Sequence, residues 1–280
     1  MQKLFTKILI PVVFNGNTGW SVDKAIQLAN KFDCDILLLH VQPPPVAIPF
    51  LGNAFFSAPF TNSMETTPEK KMKDLELQSK PMLKEGLLMT SAVLEGYWEP
   101  VLKDVIISEH IDLALIPQNY KRVSAALIYR ININKLSQQT NCPILTITPN
   151  LNANHFQNIV VPVHNLLPVK KLAIATYLSL ESSGCIYLMG KNTHPKNKMG
   201  ESLLMKAYQL LNDFGTLNIH CALRENDDTA TGTLFYAKDV NANLIVVNPG
   251  PESRLRGWWG KLKGNYLCRE SDIPVLTVAF

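Results

Sequence analysis

The chain has 280 residues, 46% of them hydrophobic and only 18% charged, with a net charge of +4. That length and apolar content suffice for one large core or two ordinary ones, and a charge this small and dispersed excludes nucleic-acid binding as a reading of composition. The five cysteines (34, 142, 185, 221 and 268) are odd in number and far apart, with no CxxC pair and no His at finger spacing, which argues against structural zinc and for a reduced cytosolic interior. No uninterrupted apolar span approaches the roughly 18 to 20 residues that a membrane helix needs, and the opening MQKLFTKILIPVVF is broken by Pro11 and lacks a cleavage pattern. A soluble cytoplasmic protein without membrane or nucleic-acid partners is therefore expected.

In chain order, Lys7 to Val13 is a short continuous apolar strand, and Asn17 or Thr18 can cap a helix whose Val22, Ala25, Ile26 and Ala29 share one face. A second buried strand runs from Asp35 to Val41. The insertion at 42–70 follows, with Phe50, Phe55, Phe56 and Phe60 among prolines that forbid a long helix. Rings of that kind are costly to leave in water. The loop could fold over its own domain, enter a subunit interface or present a partner surface. Further strands are expected at about Leu88 to Leu94, in IDLALIPQ (111–118) and in CPILTITP (142–149), and a polar, Asn-rich linker runs from Pro149 to Gln157.

The chain then repeats itself. NIVVPVHN (158–165) answers KILIPVVF (7–14) with Pro162 in register with Pro11, ANLIVVNP (242–249) answers IDLALIPQ, and IPVLTVAF (273–280) answers CPILTITP. Pro168 suits a first helical turn, after which Val169, Leu172, Ala173, Thr176 and Leu180 recur at helical spacing. A strand from Asn218 to Leu223 completes five per copy, and the acidic run Glu225, Asp227 and Asp228 fits the start of a helix near Thr229. The final apolar strand, Pro274 to Phe280, reads as an exposed edge, a route to dimerisation alongside the insertion. Continuous apolar strands alternating with amphipathic helices indicate parallel sheets covered on both faces.

This order resembles the universal stress protein family, in tandem: a strand with a proline near its end, a strand ending in HV, the strands DLALI and NLIVV, and the closing CPILTI and IPVLTV. The resemblance covers nearly the whole chain. It implies an α/β fold of two repeated doubly wound five-stranded parallel-sheet domains, adenine nucleotide alpha hydrolase-like, at 1–150 and 151–280, packed as a pseudo-dimer. It also implies where a nucleotide would sit. Nucleotide-binding members are similar to one another in a Gly-xx-Gly-x9-Gly-Ser/Thr loop after the fourth strand and in an Asp ending the first; the glycines admit backbone N–H groups to phosphate oxygens.

In the first copy those positions carry Pro117, Tyr120, Arg130 and Ile131, and the acid position is Val13. Side chains of that size occupy the space a phosphate needs, so nucleotide binding is expected to be lost there. In the second copy the ungapped alignment gives Asn248, Pro251, Lys261 and Leu262, but a one-residue shift brings Gly250 and Gly260 to the required spacing, with Lys261 in the Ser/Thr place. His164 holds the acid position and can bond a sugar or base. Two readings stand. In one, His164, Gly250, Ser253, Arg254, Gly260 and Lys261 form a degenerate pocket for ATP or AMP. In the other, the stretch is a glycine-rich turn with solvated basic residues and packed Trp258 and Trp259, and no cofactor binds.

Catalytic chemistry has little support: His40 ends a buried strand, and no Ser, Cys or carboxylate pairs with a histidine at a recognisable spacing. No metal site is expected. Arg269 beside Cys268 could lower that thiol's pKa or simply reflect helix packing. The resemblance implies a non-enzymatic stress-response or regulatory protein acting through protein association, as a homodimer or with another protein, or alternatively an ATP- or AMP-binding sensor with slow hydrolysis in its second copy.

Overall fold

The computed structural model describes residues 3–14, 18–44, 67–118, 131–153, 156–180, 182–191, 199–214, 218–224, 229–255 and 266–280. Its first half runs β1 (Lys7–Pro11), α1 (Thr18–Phe32), β2 (Asp35–Gln42), α2 (Pro68–Ser79), β3 (Met89–Glu95), α3 (Trp98–Ser108), β4 (Leu113–Pro117), α4 (Ile133–Thr140) and β5 (Ile144–Ile147). The second half runs β6 (Asn158–Val163), α5 (Val169–Leu180), β7 (Cys185–Lys191), α6 (Met199–Asn212), β8 (Asn218–Arg224), α7 (Thr229–Asp239), β9 (Leu244–Val247), α8 (Tyr266–Glu270) and β10 (Val275–Thr277). Strands and helices alternate because the strand segments are apolar on both faces: β1, β4, β5 and β9 are buried almost throughout.

All ten strands form one sheet in the order β3-β2-β1-β4-β5-β10-β9-β6-β7-β8. Within each half the pairing is parallel, and the order reverses between β1 and β4 and again between β6 and β9. The halves join where β10 pairs antiparallel with β5, through Val275↔Thr146, Leu276↔Leu145 and Thr277↔Ile144. Two apolar layers lie on opposite faces of the sheet, and each runs through both halves. One gathers Leu28, Met72, Leu172 and Leu204 from α1, α2, α5 and α6; the other gathers Leu102, Leu136, Leu234 and Leu267 from α3, α4, α7 and α8.

Three expectations change. The last strand is not an edge, because β10 lies between β5 and β9 and every residue of it is buried; among the described residues the outermost strands are β3 and β8. The segment between the halves is tied down rather than solvated throughout, since Leu151, Ala153 and Phe156 pack into the first apolar layer. In α5, Leu172 and Thr176 are buried as expected, but Val169, Ala173 and Leu180 are exposed and the inward face carries Lys171, Ile174, Ala175 and Leu178. That inward face joins the first apolar layer through Leu172, Ile174, Ala175 and Leu178 and brings Lys171 to Glu252. Pro168 stands just before α5, where its carbonyl accepts the Leu172 N–H at 2.9 Å.

Candidate functional site

Ligands of doubly wound sheets bind outside the carboxyl ends of the strands, near the reversal of strand order. In the second half this region follows β6 and β9. There the chain folds its own charges inward. Glu252, five residues beyond β9, is 3% exposed, and Lys171 of α5 is 0% exposed. The Lys171 ammonium donates to a Glu252 carboxylate oxygen at 2.6 Å and to the Pro162 carbonyl of β6 at 2.5 Å. The same Glu252 oxygen accepts the Asn248 backbone N–H at 2.7 Å, and the Asn248 side chain donates to the Val278 carbonyl at 2.7 Å. Burial pushes the Glu252 carboxyl up and the Lys171 ammonium down, each against the attraction of the other. A carboxylate thus takes the first backbone donor after β9, in a region where an anion-binding loop would present free N–H groups.

The sequence-derived residues fall around this pair. Gly250 has a φ of +114°, a conformation that a residue with a Cβ adopts only under strain. Its N–H donates to the Ser253 hydroxyl at 3.3 Å, and its carbonyl accepts the N–H groups of Ser253 at 3.1 Å and Arg254 at 3.0 Å. Ser253 is buried, and its hydroxyl donates at 2.6 Å to the side-chain oxygen of Asn134, in α4 of the other half. Arg254 is half-buried with its Nε enclosed and without a hydrogen-bond partner among the described residues. His164 is half-buried just after β6, and its carbonyl accepts the Leu166 N–H at 2.7 Å. Gly260 and Lys261, like Trp258 and Trp259, lie outside the described residues. Gly250, Ser253 and Arg254 therefore meet in one tight turn, in which Gly250 and Ser253 hydrogen-bond within the protein.

The corresponding helix of the first half is also satisfied internally. Asn132 caps α4, its side chain accepting the Lys135 N–H at 3.1 Å, while its own N–H donates to Glu99 at 2.9 Å. Lys135 reaches the other Glu99 oxygen at 2.7 Å. Hydrogen bonds from Lys135 and Asn132 outweigh burial and hold the Glu99 carboxyl below its usual range. Ile131 is buried, Pro117 ends β4, and Tyr120 and Arg130 lie outside the described residues.

An open cleft of about 530 Å³ does exist in the first half, at the carboxyl ends of β1, β2 and β3. Among the described residues it is lined by Val13, His40, Val41, Pro43 and the run Gly96 to Pro100. The His40 ring is fixed: its Nδ1 lies 2.8 Å from the Val12 carbonyl, Phe14 packs on it with centroids 4.9 Å apart, and Trp98 meets it edge-on. A bland reading of His40 as a strand-end histidine accounts for Nδ1 and leaves Nε2. Sequence reasoning missed both the cleft and the Lys171–Glu252 pair. A lysine amid the apolar run of α5 was a visible signal for the pair.

Among the described residues no group of three or more metal-binding side chains converges, and no helix is long and apolar enough to cross a membrane. The insertion's phenylalanines and the acidic run at 225–228 lie outside the described residues.

No family model matches the chain, and no curated protein matches it in sequence. Solved structures do match. A universal stress protein from Archaeoglobus fulgidus DSM 4304 superposes with a TM-score of 0.68 at 13% identity, covering 99% of this chain and 98% of that one. A putative universal stress protein from Pseudomonas aeruginosa UCBPP-PA14 gives 0.65 at 13% identity over 98% and 93% of the two chains. The cytoplasmic domain of a prokaryotic cation chloride cotransporter gives 0.56 at 10% identity over 98% and 95%. The α/β fold of these proteins thus extends over the whole of this chain.

Proposed function

We propose that this chain is a tandem universal stress protein that acts by associating with other proteins rather than by turnover, in the reducing cytoplasm, and that its first half has lost nucleotide binding. Val13 carries the reading: an apolar residue stands at the rim of the first-half cleft, where the family's binders place an acid. Glu252 supports extending it, since a carboxylate occupies the Asn248 N–H and would repel a phosphate at the second loop. Association is supported by the two outermost strands among the described residues, β3 and β8. Leu88 and Leu94 are exposed at the β3 margin, as are Phe214 and Leu223 at the β8 margin.

The rival reading, an ATP- or AMP-responsive sensor using the loop from Gly250 to Lys261, draws on Arg254, whose Nε has no partner among the described residues. Two measurements decide between them. Purified protein is heat-denatured and assayed for released adenine nucleotide, and ATP is titrated calorimetrically with and without magnesium. No released nucleotide and no heat at millimolar ATP is the expected result; saturable binding weakened by Lys261→Glu refutes the extension to the second half. For association, sedimentation velocity across concentration and in the presence of cell extract should reveal a dimer or a heavier complex. A monomer under every condition overturns that part.

A further inference from the structure

We infer that β8 pairs antiparallel with the β8 of a second copy of this chain, about a two-fold axis at Cys221, and so joins two ten-stranded sheets edge to edge. This self-pairing rests on the association reading above and gives it a partner and a surface. β8 is the outermost strand of its half among the described residues, and its side chains are open: Asn218, His220, Cys221, Leu223 and Arg224 are exposed, Leu223 to 42%. Natural edges are commonly blunted by Lys, Pro or a bulge. Residues 218–224 read NIHCALR, with neither Lys nor Pro and a single charge at the end.

The backbone sets the register. Cys185 donates its N–H to Gln157, on the β6 side of β7, so by alternation Ile186, Leu188 and Gly190 address β8, where their register partners are Ile219, Cys221 and Leu223. A residue that bonds across a parallel ladder reaches the residues on either side of its register partner. Ile36, in register with Met89, does this in the first half, where its N–H donates to the Leu88 carbonyl. The N–H and C=O groups of Ile219, Cys221 and Leu223 therefore point away from β7. Cys221 is the middle residue of β8. Antiparallel pairing centred on it sets Cys221 opposite the partner's Cys221 and Ile219 opposite the partner's Leu223, and uses every one of those outward donors and acceptors. The side chains agree on both faces. Ile219, Cys221 and Leu223 form one apolar row, with Ile219 packed on the first apolar layer. On the other face His220 meets the partner's Ala222 and Asn218 meets the partner's Arg224. The two arginines stand at opposite ends of the ladder, roughly 20 Å apart at about 3.4 Å per residue. β3 is less suited: its outward row is Met89, Ser91, Val93 and Glu95, which ends in a carboxylate and carries the Glu76 carboxylate on Ser91 at 2.6 Å.

A single ladder of this length belongs at the small end of interface sizes, so the dimer should be weak, with a Kd of about micromolar to submillimolar order. Sedimentation equilibrium of the full chain across concentration measures it. A short bismaleimide should link Cys221 to the partner's Cys221, identified by peptide mass spectrometry, and Cys221→Ser should lose the link while keeping the dimer. Cys221→Pro removes an N–H that β7 does not use, a place where an edge strand accepts proline. Each dimer then loses two hydrogen bonds and should dissociate about thirtyfold more readily, at about 1 kcal/mol net for each bond. Leu223→Lys sets an ammonium against the partner's Ile219 and should also weaken the dimer. Circular dichroism and thermal melting check that each variant is folded, and Leu223→Lys serves alone if Cys221→Pro is not. A dimer unchanged by both variants, a cross-link through Cys185 instead of Cys221, or a monomer at every concentration overturns the self-pairing. A complex formed only in cell extract overturns it too and leaves association standing, whereas a monomer in extract as well removes both.

Discussion

Replacing Lys171 with Met removes the ammonium and keeps the aliphatic stem. Two hydrogen bonds disappear, to Glu252 and to the Pro162 carbonyl, and Glu252 is left buried with the Asn248 N–H as its one remaining donor among the described residues. Breaking a buried pair on one side costs about 3–5 kcal/mol, chiefly through the stranded charge. The surviving N–H and the option of taking up a proton place this case near the lower limit. A loss of about 3 kcal/mol lowers the folding equilibrium constant by more than a hundredfold and the melting temperature by about 6–12 °C for a chain of this size. The loss should depend on pH in a definite direction. Burial already raises the Glu252 carboxyl, and without Lys171 nothing cationic opposes it. A carboxyl raised in the folded state binds its proton before the unfolded chain does, so the variant regains stability as pH falls through that raised value, and its deficit shrinks from pH 8 toward pH 5. Urea melts read at several pH values measure it. Lys171→Met combined with Glu252→Leu should cost less than Lys171→Met alone, since no charge is then stranded. A single variant within about 0.5 kcal/mol of the parent at pH 8, or a deficit that is flat with pH, refutes the account of a buried charged pair.

Other outcomes follow from single contacts. Ser253→Ala removes the 2.6 Å bond to Asn134 that ties the second-half turn to α4, and should destabilise by about 1–3 kcal/mol in denaturant melts. At Gly200 in α6 an added Cβ would collide with the Lys191 backbone carbonyl, so Gly200→Ala should cost about 1–3 kcal/mol; a neutral result would mean that α6 sits farther from β7. Burial pushes the thiols of Cys34 and Cys142 up to about 12 and that of Cys268 up to about 11, Arg269 notwithstanding. A thiol reagent at pH 8 should therefore modify only Cys185 and Cys221 in the native protein, by mass spectrometry, and all five after denaturation. Fast labelling of Cys268 would contradict its enclosure.

The alternation of strands and helices was legible because nearly every central strand is apolar on both faces, as Ile8 to Ile10 and Leu244 to Val247 are. Sequence periodicity reports burial, but burial alone does not say which neighbour supplies it. Pro274 to Phe280 therefore read correctly as a strand and wrongly as an edge, since its covering partner β5 lies more than a hundred residues away. The same limit hid Lys171. A lysine in a helix is ordinarily solvated, and only the fold brings Glu252 from beyond β9 beneath it. The glycine spacing of the second loop showed where a turn would fall at Gly250, but not that Ser253 and Glu252 would face inward. His40 was read from its strand position, which accounts for its Nδ1 bond. The cleft beside it needed α3 and the turn before it, at Gly96 to Pro100, set against the end of β1.

The antiparallel contact between β5 and β10 is short, three residue pairs, reinforced by Thr146 bonding both the N–H and the carbonyl of Val275. Between separate polypeptides a ladder of that length would give a weak complex. Here the intervening backbone keeps each half at a high local concentration beside the other, of about millimolar order for a short tether, and the ladder acts together with the two apolar layers that run through both halves. The tether also frees the halves from having to match. A symmetric assembly of identical subunits must use one surface twice, and any change appears on both sides. In this chain α4 can keep Asn134 where it receives Ser253, β6 can keep Pro162 over Lys171, and the cleft beside His40 can diverge without a counterpart having to follow.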